Sequence, residues 1–317
     1  MGDFYDINGS HFGQQYKDFL SDFHNWEQKS HADEWILLPE NIGKKLNIDE
    51  TSLSNGELYT IVTNKSGKGK QGSLIAIIEG TQSEKIIEIL KKIPIRKRNE
   101  VEEVTLDMAG SMNKIVDVCF GKASKVIDRF HVQKLAHDAL QEIRIRHRWK
   151  AIDAENKAIA KAKENKEIYK PTILANGDTE KQLLARSRYL LFKSQDKWTK
   201  KQKIRAQILF EKFPDIEKGY KLTHSLRLIY SKTTDKKIAY TKLAKWYNDI
   251  ELSGFKSFNT IKDSIFHHYI GILNFFNNRS TNAAAESFNA KLKGFRALLR
   301  GVSDKRFFMF RLMKIYG

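Results

Sequence analysis

Residues 46–64 read LNIDETSLSNGELYTIVTN, and this stretch decides the fold. Two β-branched runs, LNIDETS and ELYTIVTN, flank Ser54-Asn55-Gly56, a turn signal that joins neighbouring strands. Downstream, Lys65-Ser66-Gly67-Lys68-Gly69-Lys70 is a second turn signal and GSLIAIIEG (72–80) a third strand, which completes a three-stranded meander. In TQSEKIIEILKKI (81–93), Ile86, Ile87, Leu90 and Ile93 recur at helical spacing behind a Thr/Ser cap, and Pro94 ends the helix. VEEVTLD (101–107) is a fourth strand, GSMNKIVDVCF (110–120) a short helix and ASKVID (123–128) a fifth strand. The order β-β-β-α-β-α-β predicts an α/β fold in which parallel pairings are joined by helices.

Beyond His131 the strand signal stops. Residues 132–275 read as long helices rich in Lys, Arg, Glu, Ala and Leu, broken at Pro171, Asn176-Gly177, Pro214 and Gly254. This predicts a large all-helical insertion after the fifth strand, with KAIAKAKENKEIYK (157–170) as a solvated helix or hairpin tip. Upstream, residues 1–45 mix aromatics (Phe19, Phe23, Trp26, Trp35) with charges and reach Pro39, a lead-in of one or two short helices too small for a domain. The expected layout is therefore a lead-in over 1–45, a core over 46–131, the insertion over 132–275 and the rest of the core over 276–317.

The last of these segments carries a helix from about Asn282 to Leu299 with two different faces. At 100° per residue, Asn282, Glu286, Asn289, Lys293, Arg296 and Arg300 fall on one side, and Phe288, Leu292, Phe295 and Leu299 on the other. One face is expected to pack on the sheet, leaving a polar, basic strip with one carboxylate.

Composition narrows the function. Hydrophobic residues make up 41% of the 317, enough to bury a large core and exclude a disordered chain. Lys plus Arg number 56 against 38 Asp plus Glu, a formal charge of +18 that suits a partner of nucleic acid as well as lysine-rich solvated helices. Cys119 is the only cysteine, which rules out an intrachain disulfide and a cysteine-held zinc, and fits a reducing cytoplasm. No window approaches the ~18 consecutive apolar residues of a membrane span. A soluble, unexported protein is expected.

Three acids suggest a chemistry. Phosphodiester cleavage needs charge compensation on the attacking and leaving oxygens, and two metal ions about 3.5–4 Å apart supply it. Hard cations such as Mg²⁺ take oxygen ligands, so the site should gather carboxylates from separate elements. Asp49 lies in the first strand, Asp107 ends the fourth, and Glu286 stands on the polar face of the last helix. If strands one and four are neighbours, the two aspartates lie side by side and the helix brings up the glutamate. Taken singly, a strand-end Asp is more often a turn former or helix cap. Glu50 alternates to the other face of its strand and is not expected to be a ligand. His267 and His268, without acids or cysteines nearby in sequence, are expected to be surface or core residues.

The stretches LNIDETSLSNGELYTIVTN, VEEVTLDMAGSM, KVIDRFHVQKL and STNAAAESFNAKLKGFRALLRGVSDKRFFMFRL resemble, in order, the conserved blocks of bacterial insertion-sequence transposases of the ISL type, a DDE group with a ribonuclease-H-like core. The resemblance implies Asp49, Asp107 and Glu286 as catalytic acids and metal ligands, with two Mg²⁺ or Mn²⁺ ions per site. It also implies Asp128-Arg129-Phe130-His131 as a D-x-x-H motif. There His131 either donates to the scissile phosphate or leaving 3′ oxygen with its tautomer fixed by Asp128, or packs beneath a helix that Asp128 caps. A third possibility puts Asp128 among the metal ligands in place of Asp107. Asn289, Lys293, Arg296 and Arg300 on the helix strip, with Arg129, are the expected DNA-phosphate contacts, the alternative for the strip being an ordinary solvated face. Trp149 and Trp198, set among Arg and Lys, either stack on an unpaired base or pack in the core.

The resulting expectation is a transposase that cuts transposon ends and joins the freed 3′-hydroxyls to target DNA. Its alternatives are a catalytically silent DNA-binding derivative and a ribonuclease-H-like nuclease. The expected partners are transposon-end and target DNA, a second copy or more of the chain in the DNA complex, and a separate N-terminal end-binding protein. This last partner is expected because the residues before 46 hold no cysteine and are too few for a helix-turn-helix.

Overall fold

The computed structural model describes residues 8–54, 56–299, 302 and 304–317. Two compact units divide the chain. The first comprises the residues up to Asp128 and those from Arg279 onward, and the second runs from Arg129 to Asn278.

In the first unit, helix α1 (Gly9–Gln15) and a series of short helical turns lead to strand β1 (Trp35–Leu37). Strands β2 (Lys45–Ser54), β3 (Glu57–Asn64) and β4 (Leu74–Glu79) form the predicted meander, with β2–β3 and β3–β4 antiparallel. Helices α2 (Ser83–Leu90) and α3 (Ile95–Arg98) then lead into β5 (Glu103–Leu106), α4 (Gly110–Cys119) and β6 (Ser124–Ile127). The sheet order is β1-β4-β3-β2-β5-β6, with β2–β5 and β5–β6 parallel. Strands one and four of the sequence reading are thus neighbours.

The mixed sheet flanked by helices is the α/β, ribonuclease-H-like architecture that was expected. One strand was not. Trp35–Leu37 pairs antiparallel with β4, so the lead-in supplies an edge strand and not helices alone. Three residues are too few to show an alternating pattern, and this strand exists only because β4 offers it an edge.

Helices α12 (Ala283–Leu298) and α13 (Lys305–Tyr316) close one core of this unit. Phe288, Leu292, Phe308, Met309 and Leu312 pack there with Ile36, Leu38, Tyr59, Ile61, Leu74 and Ile77, while Phe295 and Leu299 border it. The apolar face of the last helix was therefore read correctly. Burying side chains of this size contributes about 1.5–3 kcal/mol each. The lead-in joins through aromatic edges, with Phe23 against Phe307 at 5.1 Å and Trp26 against Phe310 at 5.4 Å between ring centroids.

The second unit is helical among its described residues. It consists of α5 (Arg129–Glu164), α6 (Glu180–Arg186), α7 (Lys200–Lys212), α8 (Pro214–Lys232), α9 (Lys236–Ser253), α10 (Asn259–His267) and α11 (Tyr269–Asn278), with 3-10 turns between some of them. Thr179 and Thr199 open α6 and α7 with reciprocal capping boxes, and Pro214 begins α8. Gly254 ends α9 in the left-handed conformation at φ 70°, which a side chain would resist. Asp178, 1% exposed, receives hydrogen bonds from Arg186 and, at 3.0 Å, from Arg205 Nε. These contacts fix the loop before α6. No described helix is long and apolar enough to cross a membrane.

Candidate active site

Strand register explains why three aspartates gather at one end of the sheet. Asn47 pairs with Thr105 between β2 and β5, and Leu106 pairs with Ile127 between β5 and β6. Continued along these parallel strands, the same register sets Asp49, Asp107 and Asp128 level with one another at the carboxyl ends of β5 and β6. Crevices at the carboxyl ends of parallel strands are where open α/β sheets bind ligands. Asp128 is fully buried, and its amide donates to Leu106 O at 3.0 Å.

A hydrogen bond ties helix α12 to this row. Asn289 Nδ2 donates to Asp49 Oδ2 at 2.7 Å, while the Glu50 amide donates to Asp49 Oδ1 at 3.0 Å. Glu286 lies one helical turn before Asn289 and is exposed. Asp107 Oδ1 accepts from the Ala109 amide at 2.7 Å, so this residue also serves the turn that leads into α4. Burial, followed by the charges of Asp107 and Asp49, pushes the Glu50 carboxyl above its usual range. The aspartates of two neighbouring strands thus share an electrostatic field, and that field is negative. Among the described residues, no three Asp, Glu, His or Cys side chains already form an ion cage.

The polar strip of the last helix differs from its expected form. Asn282 and Asn289 are buried, and Arg296 is mostly so, with its Nη2 3.0 Å from Glu57 Oε2 and its guanidinium 5.5 Å from the centroid of the Phe308 ring. Asn289 serves Asp49 and Arg296 serves the fold, where phosphate contacts were expected of both. Helical spacing identifies a side of the helix but not which polar residues at its edge turn in to meet the sheet. Glu286 and Lys293 stay exposed. Arg300 lies outside the described residues.

In the second unit, Trp198 takes the core alternative. It is 9% exposed, and its Nε1 donates to Leu190 O at 3.0 Å. Trp149 is 60% exposed. His131 stands half-buried in the first turn of α5. Arg129 lines a cleft of about 620 Å³ with Phe130, Lys134, His137, Arg227 and Tyr230. Burial and then the Arg227 charge push the His137 imidazole down to about 4, and Arg227 Nη2 donates to its Nε2 at 3.0 Å, so the ring is neutral. His267 Nδ1 lies 2.7 Å from Asp263 O, a local helix contact and not a ligand pair.

Sequence reading passed over Lys65, whose side chain is only 14% exposed and touches Glu103, Thr105 and Ser280. A lysine inside a glycine-rich turn gives no sign of burial.

The model of a transposase family, the ISL3-type DDE group, matches residues 46–312, a span that holds all three acids and the whole helical insertion. No curated protein and no solved structure matches the chain. With its mixed sheet, its row of aspartates and a glutamate-bearing helix tied to Asp49, the chain belongs to the ISL3-type family of DDE transposases.

Proposed function

We propose that the chain cleaves phosphodiester bonds at transposon ends and transfers the freed 3′-hydroxyl to target DNA, with Asp49, Asp107 and Glu286 holding two Mg²⁺ or Mn²⁺ ions. The observation that carries this reading is the Asn289–Asp49 hydrogen bond, which ties to Asp49 the helix that carries Glu286 one turn before Asn289, with Asp49 itself level with Asp107. The donor set fits hard cations, because every candidate ligand is a carboxylate and the field raising the Glu50 carboxyl is one that cations would relieve. When bound, such ions neutralise charge on the attacking and leaving oxygens and lower the pKa of a coordinated water or hydroxyl.

The chain's own residues do the positioning. Asn289 orients the Asp49 carboxylate, which also accepts from the Glu50 amide. The Ala109 amide fixes the Asp107 side chain. Glu286, exposed on α12, is open to DNA and ions. Lys293 on the same exposed side contacts a flanking phosphate. Asp128 and His131 carry no step in this proposal. The chain acts on DNA as a dimer or larger assembly, with a separate end-binding protein supplying sequence recognition.

The test uses a labelled duplex carrying the inverted repeat that flanks the gene. Mg²⁺ or Mn²⁺ should give nicks ending in 3′-hydroxyl, and Ca²⁺ should support binding without cleavage. Asp49→Ala, Asp107→Ala and Glu286→Ala should each abolish cleavage; the melting temperature should hold in Glu286→Ala, whereas Asp49→Ala and Asp107→Ala also lose the hydrogen bonds from Asn289 and the Ala109 amide. Cleavage that survives thorough chelation, or full activity in any one variant, counts against the assignment.

A further inference from the structure

The turn from Lys65 to Gly72 grips α12 on both sides of Glu286. Lys65 has only 14% of its side chain exposed, and its ammonium has three N–H donors. They meet Glu103 Oε1 at 3.0 Å, the Thr105 hydroxyl and Ser280 Oγ at 2.6 Å. The Ser280 hydroxyl donates in turn to the Glu103 carboxylate. Glu103 and Thr105 belong to β5, which runs into Asp107, and Ser280 stands six residues ahead of Glu286 in the segment that enters α12. At the other end of the turn, Lys291 Nζ donates to Gly69 O at 2.8 Å from a point five residues past Glu286. Gly69 has φ +71°, and a Cβ there would sit 3.2 Å from Lys291 Nζ, so the turn's shape depends on this glycine.

From this geometry we infer that the Lys65–Gly72 turn is a clasp for α12, and that Lys65 is a positioning residue which sets where Glu286 stands relative to Asp107. The inference rests on the proposed role of Glu286 and extends it to residues outside the acid set. Packing alone gives no reason for an ammonium at position 65, because burying one is costly unless its partners are fixed. Burial lowers the Lys65 pKa, and the hydrogen bond and charge of Glu103 oppose that shift. The contacts amount to a three-way joint between the end of β3, β5 and the entry to α12. A lost ångström at such a joint is enough to slow a reaction that depends on aligned ligands.

The experiment compares the full chain with Lys65→Met, Ser280→Ala and Ser280→Thr by amide hydrogen exchange over residues 279–292 and by single-turnover cleavage with Mn²⁺. Lys65→Met and Ser280→Ala should speed exchange in the first turns of α12 and cut kcat by about tenfold or more, with KM for end DNA within about twofold. Ser280→Thr, which keeps the hydroxyl, should restore both. Ser280→Ala retains the Lys65–Glu103 pair and decides the matter if Lys65→Met does not fold. Unchanged exchange in Ser280→Ala overturns the clasp. Faster exchange with an unchanged kcat overturns the positioning role. A wild-type chain that cleaves nothing refutes the catalytic reading, and the exchange comparison still decides whether the clasp exists.

Discussion

Asn289 shows how much one amide can settle. Its bond to Asp49 fastens α12, the helix that carries Glu286, to the aspartate row of the sheet. Asp178 does comparable work for the helical unit. Burial alone would raise its carboxyl, but hydrogen bonds from Arg205 and Arg186 outweigh that and leave its pKa below the ordinary 3.8. A depressed carboxylate contributes stability that is present above the unfolded value and lost as pH falls through the folded one. Asp178→Asn should therefore cost about 1–3 kcal/mol at neutral pH, since it removes charge-assisted hydrogen bonds to a buried group. Urea melts of the variant and the parent should differ at pH 7 and converge as pH falls through the depressed folded value. A gap that persists unchanged in acid would mean that packing, and not charge, explains the loss.

At the scale of elements, α12 separates cations that its sequence presents as equivalent. Lys293 is exposed, whereas Arg296 is held by Glu57 and lies over Phe308. Lys293→Gln should lower the slope of log K against log salt for duplex binding by about 0.9 while stability holds. Arg296→Gln should lower the melting temperature and leave that slope unchanged. Equal effects on slope would mean that the Arg296–Glu57 pair opens when DNA binds. The same helix marks the limit of what the sequence made legible. Its apolar side, the meander and the crossover strands were readable because buried periodicity is strong over such lengths. So were Asp49, Asp107 and Glu286, as acids placed on separate elements. The inward turn of Asn282, Asn289 and Arg296 was not, because polar side chains at the edge of a buried face follow partners far away in sequence. Trp198 was ambiguous for the same reason: lysines around a tryptophan in sequence need not surround it in space. Strand β1 and the burial of Lys65 depend wholly on tertiary partners.

For the molecule as a whole, the +18 charge predicts affinity directed at the DNA backbone. Binding by this chain alone should be steeply salt-dependent, with less than about a thousandfold preference for transposon ends over scrambled duplex, the scale of a dedicated reader. Competition assays at fixed salt, with and without the proposed end-binding protein, measure that ratio, and a larger preference by the isolated chain would locate end recognition within it. The interrupted first unit has a further consequence, which lies in the order of synthesis. Its sheet is translated before the insertion, but Phe288, Leu292, Phe308 and Leu312, which cover one face of that sheet, come after it. At typical elongation rates the insertion alone takes about 10–30 s to make. Through that interval the ribosome holds a sheet with an uncovered apolar face and no Glu286 beside it. The sheet therefore depends on α12 and α13, which are made only after the insertion, to hide that face.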